Sequence, residues 1–238
     1  MNGFQAKAVA RKLMRENAPK VFFVSIVFIV ITTVMSELEF RLPGINDAYQ
    51  RALDQIMKGE LPGLRLFYIN FRPAGVSLAF LLILLYPVVE TGMMSYCMKM
   101  TGGVAGDYRD LLDGFLFFGK ILLIFIVSTV LTALWSMLFF FPGIVAHYRY
   151  RQAYYILLET PDKTAMQCIR ESKRLMRGNK LDLFLLDLSF IGWYLLDLLV
   201  VLLIPSPVSL PFISIWLTPY MGLSRAAYYR HIVSKLTV

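Results

Sequence analysis

The segment 121–141, ILLIFIVSTVLTALWSMLFFF, runs for 21 residues without a charge. A helix of that length rises about 31 Å, which matches the roughly 30 Å hydrocarbon core of a bilayer. It is apolar all round and has no face to give to water, so protein or lipid must surround it. Pro142-Gly143 ends the run and a second apolar stretch starts at once, which predicts a helical hairpin with a tight turn. Further apolar runs place spans at about 21–38, 74–98, 144–159, 181–204 and 212–229. The expectation is an all-α, polytopic transmembrane helical bundle of six spans, one integral membrane domain over 1–238, with amphipathic helices at its surface. Composition agrees: 58% hydrophobic against 17% charged residues leaves too little polar surface to cover a soluble globule of this size. No small-residue cleavage pattern follows the run at 21–38, so it reads as a retained span and not as a signal peptide.

The lysines and arginines orient the bundle. Of 24, 19 fall in 1–20, 99–120, 149–180 and 225–238; the other five lie in the long loop 36–72, balanced there by five acidic residues. The positive-inside rule puts the first set, and with it both termini, in the cytoplasm. A net charge of +8 distributed in this way is what cytoplasmic flanks produce, and no nucleic-acid-binding motif accompanies it. Membrane lipid is therefore an expected partner, and nucleic acid is not. Residues 1–20 interleave Lys7, Arg11, Lys12, Arg15 and Lys20 with Phe4, Ala8, Leu13 and Met14, a pattern suited to a helix on the membrane surface. In the long loop, Ile45, Ala48, Leu53, Ile56 and Met57 recur at helical spacing between Pro43-Gly44 and Pro62-Gly63, which fits a surface helix and a solvated connector equally. The glycine-rich TGGVAGDYRD at 101–110 has no preceding strand and no Gly-Lys-Ser/Thr. It reads as a flexible connector, not a phosphate cradle.

The stretch 164–193 passes from water to hydrocarbon. Thr164 with Gln167 three residues later makes a capping box. Ala165, Cys168, Ile169, Ser172, Leu175 and Met176 then share one face, Lys173, Arg174 and Arg177 close the last turn, and Gly178 is placed for a left-handed cap. This predicts a helix resting on the inner leaflet, its three basic residues a candidate membrane-surface patch drawn to anionic lipid. The two cysteines, Cys97 and Cys168, form neither a zinc pattern nor a disulfide framework and read as packing residues.

Charges within the expected spans are the candidates for a polar site. Glu90, His147, Arg149, Arg151, Asp187 and Asp197 all lie where ionisable groups are rare and usually face protein or water. At about 100° per residue, Arg149 and Arg151 project to nearly opposite sides of their helix, whereas His147, Arg151 and Tyr155 share a face. Helical rise puts Glu90 about 13 Å from the cytoplasmic end of its span, close to mid-membrane. Pairing of Glu90 with Arg149 or Arg151 is therefore the expectation, and Pro87 in the same span predicts a kink. Neither His-Glu-x-x-His nor Gly-x-Ser-x-Gly occurs, and the two histidines, His147 and His231, lie far apart in sequence. No catalytic residue, metal or cofactor is expected. A transporter or permease subunit using the intramembrane charges is one alternative, without an ATP-binding motif or internal repeat to support it. An intramembrane enzyme is another. The residues favour a non-enzymatic module that holds lipid, peptide or partner helices between its spans.

The order PGIVAHYRYRQAYYILLETPD, ESKRLMRGNKLDLF, LSFIGW, then LTPY with AAYY, resembles the bacterial membrane-protein family catalogued as domain of unknown function 975. The resemblance covers roughly Phe115 to Tyr229 and extends more loosely to the N-terminal half. It implies a six-span protein of the bacterial cytoplasmic (inner) membrane and no established activity. A more distant resemblance is to the membrane domain attached to some glycerophosphodiester phosphodiesterases, whose catalytic domain has no counterpart in this sequence.

Overall fold

The computed structural model describes residues 3–41, 54–55, 57–58, 73–203 and 212–235, and these contain no strand. In chain order the helices are α1 (Gly3–Glu16), α2 (Ala18–Arg41), α3 (Pro73–Thr101), a 3-10 turn (Tyr108–Leu112), α4 (Asp113–Leu116), α5 (Phe118–Leu138), α6 (Phe140–Tyr150), α7 (Ala153–Glu159), α8 (Ala165–Leu175), α9 (Lys180–Leu188), α10 (Ile191–Leu203) and α11 (Phe212–Ser234). They divide into two compact units, one built from residues up to Ile29 together with those from Val88 on, the other from Val30–Pro87. The surface helix expected in the long loop lies largely outside the described residues, as do the loop 205–211 and the side chain of Asp197.

Among the described residues, three segments are long and apolar enough to cross a membrane: Ala18–Glu39, Gly75–Thr101 and Phe118–Leu138. Only 11% of the third is buried in the protein, and Val130, Leu134, Met137 and Leu138 along it are all exposed. Contiguous apolar surface on this scale is incompatible with water as the sole solvent.

The expected fourth and fifth spans are each divided. α6 stops at Tyr150 and α7 resumes at Ala153; α9 stops at Leu188 and α10 resumes at Ile191. A break frees carbonyls that the helix would otherwise satisfy, and inside a bundle they need new donors. At the first break the Ser172 hydroxyl of α8 donates to the Arg149 carbonyl at 2.9 Å. At the second, the Lys7 ammonium of α1 donates to the Ser189 carbonyl at 3.3 Å and lies 4.1 Å from the centre of the Phe190 ring. Burial, with Arg11 nearby, lowers the Lys7 pKa below the ordinary lysine value. Each amphipathic helix thus closes a break in an inner one.

That role explains where the apolar faces of α1 and α8 go. Ala6, Ala10 and Met14, one per turn, are buried, and α1 packs on α11 and α9. Small residues at this spacing allow the backbones to approach closely. In α8 the capping box forms with both hydrogen bonds, Ala165, Cys168, Ile169, Ser172 and Leu175 are buried, and Gly178 takes φ +80°. The face is covered by α5, α6 and α7, so protein supplies the apolar surroundings expected for Ile169, Leu175 and Met176.

The glycine-rich connector is also tied down. Gly103 takes φ +81°, Asp107 and Asp110 form a capping box around the 3-10 turn, and the following residues fold back along α3. A β-carbon at Gly92 would collide with the Leu111 carbonyl, and one at Gly114 with the Val88 carbonyl. Two backbones meet at these glycines.

Gly92→Ala and Gly114→Ala are each expected to lower stability by about 1–3 kcal/mol through overpacking, whereas Gly119→Ala, where the new methyl meets nothing within 4 Å, should leave it unchanged. Thermal unfolding in detergent checks this; equal melting of the three variants would contradict the close approach.

Candidate functional site

Asp187, on the last turn of α9, is the centre of the polar interior. Its carboxylate accepts from Arg151 Nη1 at 2.6 Å, from Arg225 Nε at 2.9 Å and from the Tyr148 hydroxyl at 3.1 Å. The side chains are only 12%, 15% and 20% exposed for Asp187, Arg151 and Arg225. One acid between two bases leaves an excess positive charge. Tyr148 is fixed edge-on between His147 and Phe184, at 5.5 and 5.7 Å between ring centres. On the next turn, Tyr155 stacks on Tyr229 at 5.2 Å, and the Tyr229 hydroxyl donates to Glu159 at 2.5 Å. The network joins α6, α7, α9 and α11, and both breaks border it.

The expected pairing of Glu90 with Arg149 or Arg151 is corrected by this geometry. Arg151 is taken by Asp187, and among the described residues Glu90 makes no ion pair. Half-buried on α3, Glu90 lies where the connector docks, since Gly92 and Val88 on either side meet Leu111 and Gly114. Arg149 is half-buried, with its guanidinium 5.9 Å from the Tyr150 ring. His147 is exposed and touches the cluster through Tyr148. Of the five candidates whose side chains are described, therefore, only Arg151 and Asp187 are joined directly; the Asp197 side chain lies outside the described residues. Arg225, which the sequence presents only as part of a basic tail, supplies the third charge; no local pattern marks it.

A second ionic cluster went unread in the sequence. Lys99, near the end of α3, is 2.6 Å from both Asp110 and Asp113, and the Ser95 hydroxyl donates to Asp113 at 2.6 Å. It fastens the connector to α3. Arg230 of α11 donates to the Met98 carbonyl at 2.8 Å and to the Thr101 hydroxyl at 3.1 Å, a favourable placement of a cation at a helix C-terminus. No group of three or more His, Cys, Asp or Glu among the described residues is arranged to hold a metal ion.

Two basic surfaces remain. Lys173, Arg174 and Arg177 are exposed at the end of α8, as expected of a solvated or lipid-facing patch. The other is a groove of about 760 Å³ lined by Ala8, Arg11, Lys12, Met14, Arg15 and Glu16 of α1, Ala18 and Phe22 of α2, and Trp216 of α11. One wall is cationic and the other is apolar and aromatic.

Residues 140–236 match the family described as "Protein of unknown function (DUF975)". No curated protein and no solved structure matches the chain. The matched region contains the Asp187 network whole, from Tyr148 to Arg225.

Burial, then the nearby Glu171, raises the Cys168 thiol above its ordinary pKa. Cys168 is therefore expected to resist maleimide at neutral pH in the native protein. Three buried side chains, Ile169, Leu175 and Met176, are worth about 1.5–3 kcal/mol each, against about 1 kcal/mol for each basic residue at an anionic leaflet. Neutralising Lys173, Arg174 and Arg177 together should leave Cys168 protected, while Ile169→Asp should expose it. Labelling released by the charge changes would show that lipid, not protein, holds α8.

Proposed function

We propose that the chain is a six-span protein of the bacterial cytoplasmic membrane, both ends cytoplasmic, that serves as a non-enzymatic module binding a lipid or peptide. The groove at the α1–α2 junction carries this proposal. It sits where the first candidate span begins, at Ala18, and joins a cationic wall to an apolar one. That is the complementarity an amphiphile requires. The interior charges support the same view, because Arg151 and Arg225 are both engaged by Asp187 and tie helices together. A hydrolase would instead place a nucleophile against a base with a donor set for the developing oxyanion. A transport pathway would need such charges aligned along a passage, and those joined here converge on a single carboxylate. Shorter helices do not oppose the proposed six spans, since helices broken within a bundle still cross when neighbouring groups satisfy the freed backbone.

Native mass spectrometry of the purified protein is the direct test. One or a few amphiphile adducts are expected to survive activation that strips the detergent. A protein free of adducts, together with saturable solute flux in reconstituted vesicles, would favour the transporter alternative and overturn the proposal.

A further inference from the structure

We infer that the groove between α1, α2 and α11 is a site for one anionic phospholipid, with its phosphate on Arg11, Lys12 and Arg15 and an acyl chain along Phe22 and Trp216. The inference rests on the binding role proposed above and names its ligand class.

The cationic wall is built by helix geometry. Ala8, Arg11, Lys12 and Arg15 fall at i, i+3, i+4 and i+7, so they share one face of α1 and the three charges lie within about two turns. All three are exposed, and Ala8 leaves room beside them. Glu16 also lines the groove, but its contact with Lys12 is long, at 3.8 Å, and both side chains are more than half exposed, so solvent largely screens the pair. Among the described residues Arg15 makes no ion pair. The wall is thus net cationic and able to receive a phosphodiester.

The apolar wall continues in the direction a lipid tail must take. Met14, Ala18, Phe22 and Ile26 recur every four residues across Asn17, where the hydrogen bonds from Asn17 to the Leu13 carbonyl and from Val21 to the Asn17 carbonyl keep α1 and α2 nearly continuous. Met14 forms the buried floor, and Ile26 is exposed further along the first candidate span. Trp216 faces the strip, fixed against Trp193 at 4.9 Å and Tyr220 at 4.8 Å. Trp is favoured at the height where headgroups meet hydrocarbon. A free phosphate would make no use of this wall. An extended peptide would want backbone partners, and helices whose hydrogen bonds are internal present none. A zwitterionic lipid would bring its own cation against three others.

The test uses Trp216 as reporter in the full chain with Trp135→Phe and Trp193→Phe, reconstituted with brominated phosphatidylglycerol or brominated phosphatidylcholine. Phosphatidylglycerol is expected to quench Trp216 with a relative association constant at least about fivefold higher, since one basic residue near an anionic headgroup contributes about that factor. Arg11→Gln with Arg15→Gln, which leaves Lys12 alone on that wall, should lower the ratio severalfold. The unaltered chain provides a parallel measurement that does not depend on the tryptophan changes: in equimolar mixed micelles its mass-spectrometric adducts should be mainly phosphatidylglycerol, and the double arginine variant should show that preference reduced severalfold. Equal quenching and equal adducts for the two lipids would overturn the site. A phosphatidylglycerol preference untouched by the arginine changes would overturn it too, while leaving the binding role intact; only the loss of every adduct removes that role.

Discussion

A carboxylate taken out of water between helices must be neutralised, and Asp187 has two guanidiniums and a phenol for the purpose. The contacts at 2.6, 2.9 and 3.1 Å come from two elements, α6 with its C-terminal Arg151 and α11 with Arg225. Desolvating such groups costs several kcal/mol each, so the arrangement holds only while all members are present. What it yields is position. α6, α9 and α11 are fixed relative to one another at one point, and the helix breaks at Arg151–Gln152 and Ser189–Phe190 flank it.

The breaks in turn explain why the chain has amphipathic helices at all. A freed carbonyl in apolar surroundings costs about as much as a lost hydrogen bond, and Ser172 of α8 and Lys7 of α1 remove that cost at the two sites. Once docked for this purpose, both helices bury their apolar faces in protein and turn their cations outward. On α1 those cations form one wall of the groove that reaches the first candidate span. Interior electrostatics and the proposed ligand site are therefore linked through the packing of α1 on α11 and α9.

How much could be read from the sequence follows from the range of each interaction. The α8 helix was legible in detail, from the Thr164–Gln167 cap to Gly178, because capping and amphipathic faces are local. So were the three long apolar helices and the existence of a tight turn after α5, although the turn falls at Phe139 and leaves Pro142 and Gly143 within the first turn of α6. Partners across the bundle were not. Helical rise gives the depth of Glu90 but not what lies beside it, and Asp187 differs from Asp182 in the sequence by no local sign. Arg225 lay hidden among tail charges for the same reason. The fold-back of the connector depends on Gly92 and Gly114, which in sequence are ordinary glycines and become informative only when two backbones are seen to meet there. The breaks, too, escaped notice, since LSFIGW and HYRYRQAYY contain no helix-breaking proline.

If Asp187 is the fastening point, its loss must cost more than the loss of any other interior charge, and must cancel part of the cost of losing a partner. Unfolding of the detergent-solubilised Asp187→Asn, Arg225→Gln and doubly substituted proteins measures this coupling directly. Asp187→Asn is expected to cost about 3 kcal/mol or more by leaving two buried cations facing each other. Adding Arg225→Gln should then cost little further or restore some stability, while Glu90→Gln alone stays mild. Strictly additive losses, or a Glu90→Gln protein as damaged as Asp187→Asn, would contradict the account.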